Sequence, residues 1–192
     1  MADDVMQKNR DDDVPAEKKL EDLYKLIEGI DVAMFTTRRA DGHLVSRPMQ
    51  TQAHRAGVDL WFVTDWSSDK LDDIVRDPHV NHGYYSTKRR EWVSVAGTAI
   101  VSRDHDLIRG LYKPDWKAWF PSEEGNPKRD GGPSDERIAL ILVEAHSVEY
   151  MKLDRPRPLV LFEIVKAMAT GSAPKVGDIR HVDAGELRAD RR

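Results

Sequence analysis

A serine and a lysine stand two residues apart where an apolar stretch gives way to a short helix. Residues 58–64 are apolar and aromatic and predict a buried strand, whereas residues 67–76 have helical spacing. At such a junction the free backbone N–H groups, the Ser68 hydroxyl and the Lys70 ammonium would together attract an anion such as a phosphate. The alternative is a surface helix with a serine cap and a solvated lysine.

An arginine in a predicted strand offers a second positive charge. In the segment 46–50, Arg47 shares a strand face with Val45 and Met49, so its guanidinium lies on a largely apolar face. A buried arginine is costly unless an anion or a carboxylate pairs with it. Pro48 cannot donate a ladder hydrogen bond, which is typical of an edge strand or a bulge. Arg47 therefore contacts an anionic ligand, or it reaches solvent or an internal aspartate from an edge strand.

Three aromatic residues occur in a loop rich in proline and glycine, residues 114–135. They are Trp116, Trp119 and Phe120. Loops normally run over the surface, where such side chains would stay in contact with water. The three residues can form a small satellite core, cover a subunit interface or close over a planar ligand.

Other chemistries have little support in the sequence. His79 and His82 are three residues apart on a predicted strand and point to opposite faces, and no carboxylate pattern with ligand spacing accompanies them. We therefore expect no metal site. The chain has no cysteine and no Gly-x-Ser-x-Gly elbow, which argues against a cysteine or serine nucleophile.

Composition limits the classes of partner. The chain has 192 residues, a net charge of −4 and no basic run, so nucleic acid is not an expected partner. The longest aliphatic run, residues 138–143, is too short to span a membrane, and the acidic N-terminus does not resemble a signal peptide. We expect a cytoplasmic protein.

The order of elements predicts the fold class. The predicted strands are 31–37, 44–53, 58–64, 79–86, 91–103 and 138–152, and the predicted helices are 16–29, 67–76 and 104–113. Short consecutive strands, one pair joined by an Asp-Gly hairpin signal, favour a small antiparallel barrel with peripheral helices. We predict a disordered tail at residues 1–15, one domain at 16–155 and a partly disordered extension at 156–192.

Four motifs occur together in one order: FTT-RRADGHLVSRPM, LWFVTDWSSDKLDDIVRDPHV, EWVSVAGTAIVSRD and LYKPDWKAWFP. In this order they resemble the general stress protein family of the pyridoxamine 5′-phosphate oxidase-like superfamily, and the resemblance covers about residues 17–153. It implies an FMN-binding split β-barrel that works as a homodimer, with flavin sites at the subunit interface. FAD is the other flavin that such a site could accept.

The resemblance also implies roles for individual residues. It assigns Arg47, Pro48, Met49 and Gln50 to the flavin-facing strand, Phe62 and Thr64 to the end of the central strand beside the flavin, and Ser68 and Lys70 to the phosphate. It implies that Trp119 packs near the flavin from the partner subunit.

The chain departs from the vitamin-forming oxidase in its C-terminal part. The substrate motif of that enzyme is absent, and Arg180-His181 does not replace it. The predicted function is an FMN-binding general stress protein, with flavin-dependent oxidation or reduction of an unknown substrate as its activity. The alternatives are an oxidase of a B6 phosphate and a flavin-binding or interaction protein without turnover. No catalytic residue is assigned, because the flavin itself carries the redox chemistry.

Overall fold

The computed structural model describes residues 2–55, 57–153 and 156–190. The helices are α1 (Ala2–Asn9), α2 (Ala16–Ile30), α3 (Asp69–Arg76), α4 (His105–Leu111), α5 (Arg157–Thr170) and α6 (Ala184–Asp190). The strands are β1 (Val32–Arg38), β2 (Leu44–Gln50), β3 (Leu60–Asp65), β4 (His79–Tyr85), β5 (Trp92–Ser102), β6 (Ile138–Lys152) and β7 (Asp178–Asp183). A 3-10 helix, Pro114–Ala118, follows α4.

The strands form one curled sheet in the order β2-β1-β4-β5-β6-β3, and β7 pairs with the second half of β6. The paired strands run antiparallel, as the short connections require. The turn between β1 and β2 is the predicted hairpin, in which Gly42 has a φ of 85° that favours glycine. The predicted antiparallel sheet with peripheral helices is confirmed.

One glycine allows the sheet to bend. The pairing of β5 with β6 shifts between Ala96 and Gly97. A Cβ atom at Gly97 would lie 2.2 Å from the carbonyl oxygen of Glu144, so only glycine permits this close approach. A bulge increases the local twist of a strand, which helps a sheet of this width to curl around its own core.

Two apolar clusters fill the molecule. The larger lies inside the curled sheet, where Phe35, Phe62 and Tyr150 are fully buried and α2 adds Leu20 and Leu23. The smaller lies under the loop that follows α4, where Trp116 and Phe120 pack with Trp61 and Ile108. Two of the three loop aromatics therefore form the predicted satellite core, whereas the Trp119 side chain is 76% exposed.

The two edge strands of the sheet approach each other at one point. Just beyond β2, the backbone N–H of Gln52 donates to the carbonyl oxygen of Trp61 in β3 at 3.1 Å. The indole N–H of Trp61 donates to the carbonyl oxygen of Ala53 at 2.8 Å. These bonds join the ends of an open barrel, and the remaining space between β2 and β3 stays open as a gap.

The segment 1–15, for which the sequence predicts disorder, contains α1. The fully buried Asn9 accepts hydrogen bonds from the backbone N–H groups of Val176 and Gly177, at 2.7 and 3.0 Å. The backbone N–H of Asp11 donates to the carbonyl oxygen of Ile179 at 2.9 Å. The N-terminal segment is thus ordered by contacts with the far end of the chain.

The C-terminal extension also contains regular structure, namely α5, β7 and α6. In β7, the guanidinium of the buried Arg180 donates to Asp22 at 2.6 Å and to Asp11 at 3.0 Å. Lys152 donates to Asp22 at 2.9 Å. The ion pairs of Arg180 attach the extension to α2 and to the N-terminal segment, and the ion pair of Lys152 attaches α2 to β6. The predicted boundary at residue 155 lies outside the described residues.

The helices are short relative to a membrane. Across the described ranges, none is both long and apolar enough to cross a lipid bilayer.

Candidate functional site

A cavity of about 400 Å³ lies at the gap between the two edge strands. β2 lines it with Arg47, Pro48, Met49 and Gln50, and β3 lines it with Val63, Thr64 and Asp65. The loop after α4 adds Trp116, Trp119 and Phe120, and the start of α3 adds Lys70. A cavity of this size is typical of small-molecule and cofactor sites. The cavity unites the three groups of residues that the sequence singled out separately.

Lys70 is the main positive charge at one wall of this cavity. Its ammonium is half-buried and donates to the hydroxyl oxygens of Thr64, at 2.7 Å, and of Ser68. Neither partner is charged, and Lys70 forms no salt bridge with another described residue. Burial lowers the pKa of Lys70, and the nearby Arg47 guanidinium adds to this effect. The carboxylates of Asp65 and Asp69 oppose this lowering of the pKa but do not cancel it, so the wall is suited to an anion.

Ser68 precedes α3 but does not cap it with its side chain. The hydroxyl makes no hydrogen bond to the first amides of the helix and instead accepts one from Lys70. The surface helix with a serine cap and a solvated lysine is therefore not what the structure contains. The Ser68 hydroxyl contacts the Lys70 ammonium at the start of α3, where the first N–H groups of the helix have no partner within the helix, as an anion site at a helix start requires.

Arg47 supplies the second positive charge and already has partners in the protein. It donates to the hydroxyl of Thr37 at 2.8 Å and to the carboxylate of Asp73 at 3.3 Å. Thr37 in turn donates to Asp73 at 3.0 Å. Arg47 thus lies on an edge strand and reaches an internal aspartate, while it also lines the cavity. The structure thus contains the aspartate partner that one interpretation of Arg47 predicts, and contact with an anionic ligand stays a prediction.

The remaining wall of the cavity is apolar and aromatic. Met49 and Phe120 are buried, Trp116 is 3% exposed, and Trp119 extends along the opening. The indole N–H of Trp116 donates to the side-chain oxygen of Gln52 at 3.4 Å. A flat ligand with an anionic group at one end would therefore meet aromatic and sulfur-containing side chains at the other end.

Two candidate residues do not line this cavity: Ser68, which contacts Lys70 beside it, and Phe62. Its ring is fully buried and stacks on His82, with ring centroids 5.1 Å apart, in the core of the barrel. Phe62 lies within β3 and points into the barrel core, whereas Val63 on the other face and Thr64 near the end of the strand line the cavity. The Phe62 side chain is a core residue, and the cavity receives Thr64 from the same strand.

The sequence interpretation missed six residues that line the cavity or hold its charges, including Val63 and Asp65 of β3. Thr37 and Asp73 position Arg47, and Gln52 and Asp115 line the wall. Thr37 occupies an inward position of β1, and Asp73 lies on the buried face of α3. A polar residue at an apolar position is the signal that could have indicated such partners.

The sequence profile of proteins described as pyridoxamine 5′-phosphate oxidase like matches residues 18–175. The chain belongs to the pyridoxamine 5′-phosphate oxidase-like family. The curated protein bli-3 of Neurospora crassa is 33% identical over 190 residues, which cover 98% of this chain and 90% of that protein. The family resemblance predicted from the four motifs is confirmed.

Solved structures share the fold of this pyridoxamine 5′-phosphate oxidase-like protein. A protein from Jannaschia sp. assigned as general stress protein 26 has a TM-score of 0.65 and 21% identity, over 87% of this chain and 99% of that chain. The general stress FMN/FAD-binding protein of Xanthomonas citri has a TM-score of 0.58 and 21% identity, over 73% of this chain and 92% of that chain. The predicted split-barrel fold is thereby confirmed.

Proposed function

We propose that this protein binds FMN in the cavity between β2 and β3 and uses it to oxidise or reduce a small molecule. The observation that carries the proposal is Lys70, a half-buried ammonium with hydroxyl partners at one wall of a cavity whose other wall contains Met49, Trp116, Trp119 and Phe120. FMN has a matching division, with a dianionic phosphate at one end and a flat ring system at the other. The general stress FMN/FAD-binding protein of Xanthomonas citri, which shares the fold, adds support.

Each wall has a role in this proposal. Lys70, Ser68 and the first N–H groups of α3 hold the phosphate, and Arg47 adds positive charge. Met49, Trp116 and Trp119 contact the ring system and exclude water from it. The bound flavin supplies the electron-transfer chemistry, so the protein needs no dedicated nucleophile.

Titration of the purified protein with FMN, FAD and riboflavin tests this function. We expect saturable uptake of FMN, seen as a change in flavin absorption and fluorescence, with weaker binding of riboflavin because it lacks the phosphate. A protein that takes up no flavin would contradict the proposal and favour an interaction protein. Turnover of pyridoxamine phosphate with oxygen would instead identify a B6 phosphate oxidase.

We also propose that the protein is a homodimer with its flavin sites at the subunit interface and that it works in the cytoplasm. Exposed apolar side chains on the outer face of the sheet support the dimer. Val32 and Met34 on β1 are 44% and 46% exposed, and Leu44 on β2 is 63% exposed. Large exposed apolar side chains that share one face are typical of an interface.

Replacing Trp119 with alanine should weaken FMN binding by about twofold to tenfold, since an aromatic contact contributes about 0.5–1.5 kcal/mol. It should also loosen the dimer. Flavin titration and analytical ultracentrifugation measure the two effects. A monomer with full flavin occupancy would contradict the shared site.

Mixed dimers show which subunit supplies Trp119. In the single chain Trp119 lines its own cavity, whereas the family resemblance predicts a contact with the flavin of the partner. A dimer of one Trp119→Ala subunit and one Lys70→Met subunit contains one intact site if Trp119 acts across the interface. It contains none if Trp119 acts within its own subunit. Half occupancy at wild-type affinity therefore supports the shared site.

A further inference from the structure

A second cavity, of about 450 Å³, adjoins the candidate FMN site where β2 and β3 converge. Gln50, Gln52 and Asp115 line both cavities, so the two share a wall. Gln52 is held at this wall because Trp116 donates to its side-chain oxygen. A molecule that exchanges electrons with a flavin must lie beside it, and this cavity is in a suitable place.

The second cavity differs from the first in charge. Its lining contains four carboxylates, Glu28, Asp31, Asp59 and Asp115, but one lysine, Lys113. Asp59 is buried and accepts a hydrogen bond from the backbone N–H of Ala145 at 2.6 Å. Glu28, Asp31 and Asp115 form no salt bridge with any other residue that the structure describes. The potential in this cavity is therefore negative, which attracts cations and repels anions.

The kind of cation follows from the arrangement of these groups. Among the described residues, no group of three or more His, Asp or Glu side chains is arranged to hold a metal ion. The carboxylates are thus spread around a space the size of an organic molecule. Tyr24 and His54 pack against each other in the same lining, with ring centroids 3.9 Å apart, and provide an aromatic surface. Aromatic surfaces beside carboxylates recognise organic ammonium ions.

We propose that this second cavity binds the redox partner of the flavin and selects organic cations, in particular arylalkyl amines in their ammonium form, over anions. The role as redox partner rests on the proposed FMN function, but the selection by charge does not. A phosphorylated substrate, such as a B6 phosphate, would place its dianion among three carboxylates that form no ion pair within the described part of the chain. The cavity therefore disfavours the substrate class of the vitamin-forming oxidase.

Two probes with the same ring and opposite charge test this selection: phenethylammonium and 3-phenylpropionate. Binding is followed by amide chemical shifts in ¹⁵N-labelled protein, both flavin-free and loaded with FMN. We expect phenethylammonium to bind at least about tenfold more tightly, which corresponds to about 1.4 kcal/mol. Its shifts should map to residues 24–31 and 50–54. Equal or tighter binding of 3-phenylpropionate, or shifts elsewhere, would overturn the proposal.

A double variant, Glu28→Gln with Asp31→Asn, removes two of the charges without changing the size of the side chains. Asparagine tolerates the φ of 70° at position 31 and still accepts the hydrogen bond from Gln50. The preference for phenethylammonium should fall towards one. The matched control, Asp13→Asn with Glu124→Gln, removes two exposed carboxylates outside the cavity and should keep the preference. A preference that survives in the cavity variant would refute the assignment.

The two probes distinguish a failure of the second-cavity proposal from a failure of the FMN proposal. Selection of the cation by a protein that binds no flavin would support the cavity and contradict the FMN function. Uptake of FMN without selection between the two probes would support the FMN function and contradict the proposal for the second cavity.

Discussion

Replacing Lys70 with methionine should weaken FMN binding by about tenfold to a hundredfold, because a charge-assisted hydrogen bond contributes about 1.5–3 kcal/mol. Affinity for riboflavin should barely change, since the lost interaction is with the phosphate. Titration of both flavins separates loss of the phosphate interaction from general damage to the fold. The loss should also shrink at high salt, because the cavity opens to solvent and mobile ions screen the charge.

The structure adds a second expected result for Lys70→Met: the variant should bind FMN more weakly, but it should not lower the stability of the flavin-free protein. In the flavin-free protein, Lys70 holds a half-buried charge, and its hydrogen-bond partners among the described residues are hydroxyl groups. Methionine keeps the apolar stem and removes the charge, so the free energy of unfolding should stay the same or rise. Urea denaturation without flavin measures this. Equal losses of affinity for FMN and riboflavin, together with lower stability, would show that Lys70 supports the fold and does not bind phosphate.

Arg47 and Lys117 provide the comparison variants. Arg47→Met should cost less FMN affinity than Lys70→Met, because Asp73 and Thr37 already satisfy part of the guanidinium. It should cost more stability, because it leaves the buried Asp73 without this partner. Lys117→Met, on the exposed side of the loop, should change neither quantity.

Replacing His82 with leucine should reduce the loss of unfolding free energy at acidic pH by several kcal/mol. His82 is fully buried in β4 between the rings of Phe35 and Phe62. Neither ring nitrogen has a hydrogen-bond partner of normal geometry among the described residues, although the backbone of Val95 slightly favours the protonated ring. Burial lowers the pKa of His82 to about 3.

The sign of the effect follows from the two pKa values. In the unfolded chain the histidine binds a proton below about pH 6.5, whereas in the folded protein it stays neutral down to about pH 3. The unfolded state therefore binds more protons in this range, and the stability conferred by the neutral ring is lost as the pH falls from 6.5 to 3. Each pKa unit corresponds to about 1.4 kcal/mol, so the total is about 4–5 kcal/mol.

Denaturant unfolding at pH 7 and at pH 4 measures this contribution. His82→Leu should lose about 3 kcal/mol less than the wild type between these two pH values. At pH 7 it should be at least as stable, because leucine leaves no buried nitrogen without a partner. His105→Gln, at an exposed position, is the matched control and should keep the full pH dependence. An unchanged pH dependence in His82→Leu would refute the assignment.

The sequence by itself determined the strands and helices of the barrel, because each has a local pattern. The predicted strand at residues 138–152 coincides with β6, and α2 differs from its prediction by one residue. The largest difference at a strand end is in β2, which ends at Gln50 because the next residues turn towards β3. Alternation along the strands also placed Arg47 on the inner face with Met49.

The structure of the two terminal segments depended on tertiary contacts. No local window contains both Asn9 and the backbone groups of Val176 and Gly177 that it binds, or both Arg180 and its partners Asp11 and Asp22. Polar segments read alone predict disorder, since they lack an apolar face to bury. Their order here comes from paired charges and hydrogen bonds between the two ends of the chain.

For the candidate sites too, the sequence determined one part and the tertiary structure decided the other. The residue types at positions 47, 68, 70 and 119 indicated an anion and a planar ligand, because charge and aromatic surface are properties of single side chains. Only the fold decided that Ser68 accepts from Lys70 instead of capping α3, and that Phe62 belongs to the core. The acidic second cavity draws its lining from separate segments of the chain. Its charge arises only when folding brings those segments together around one space.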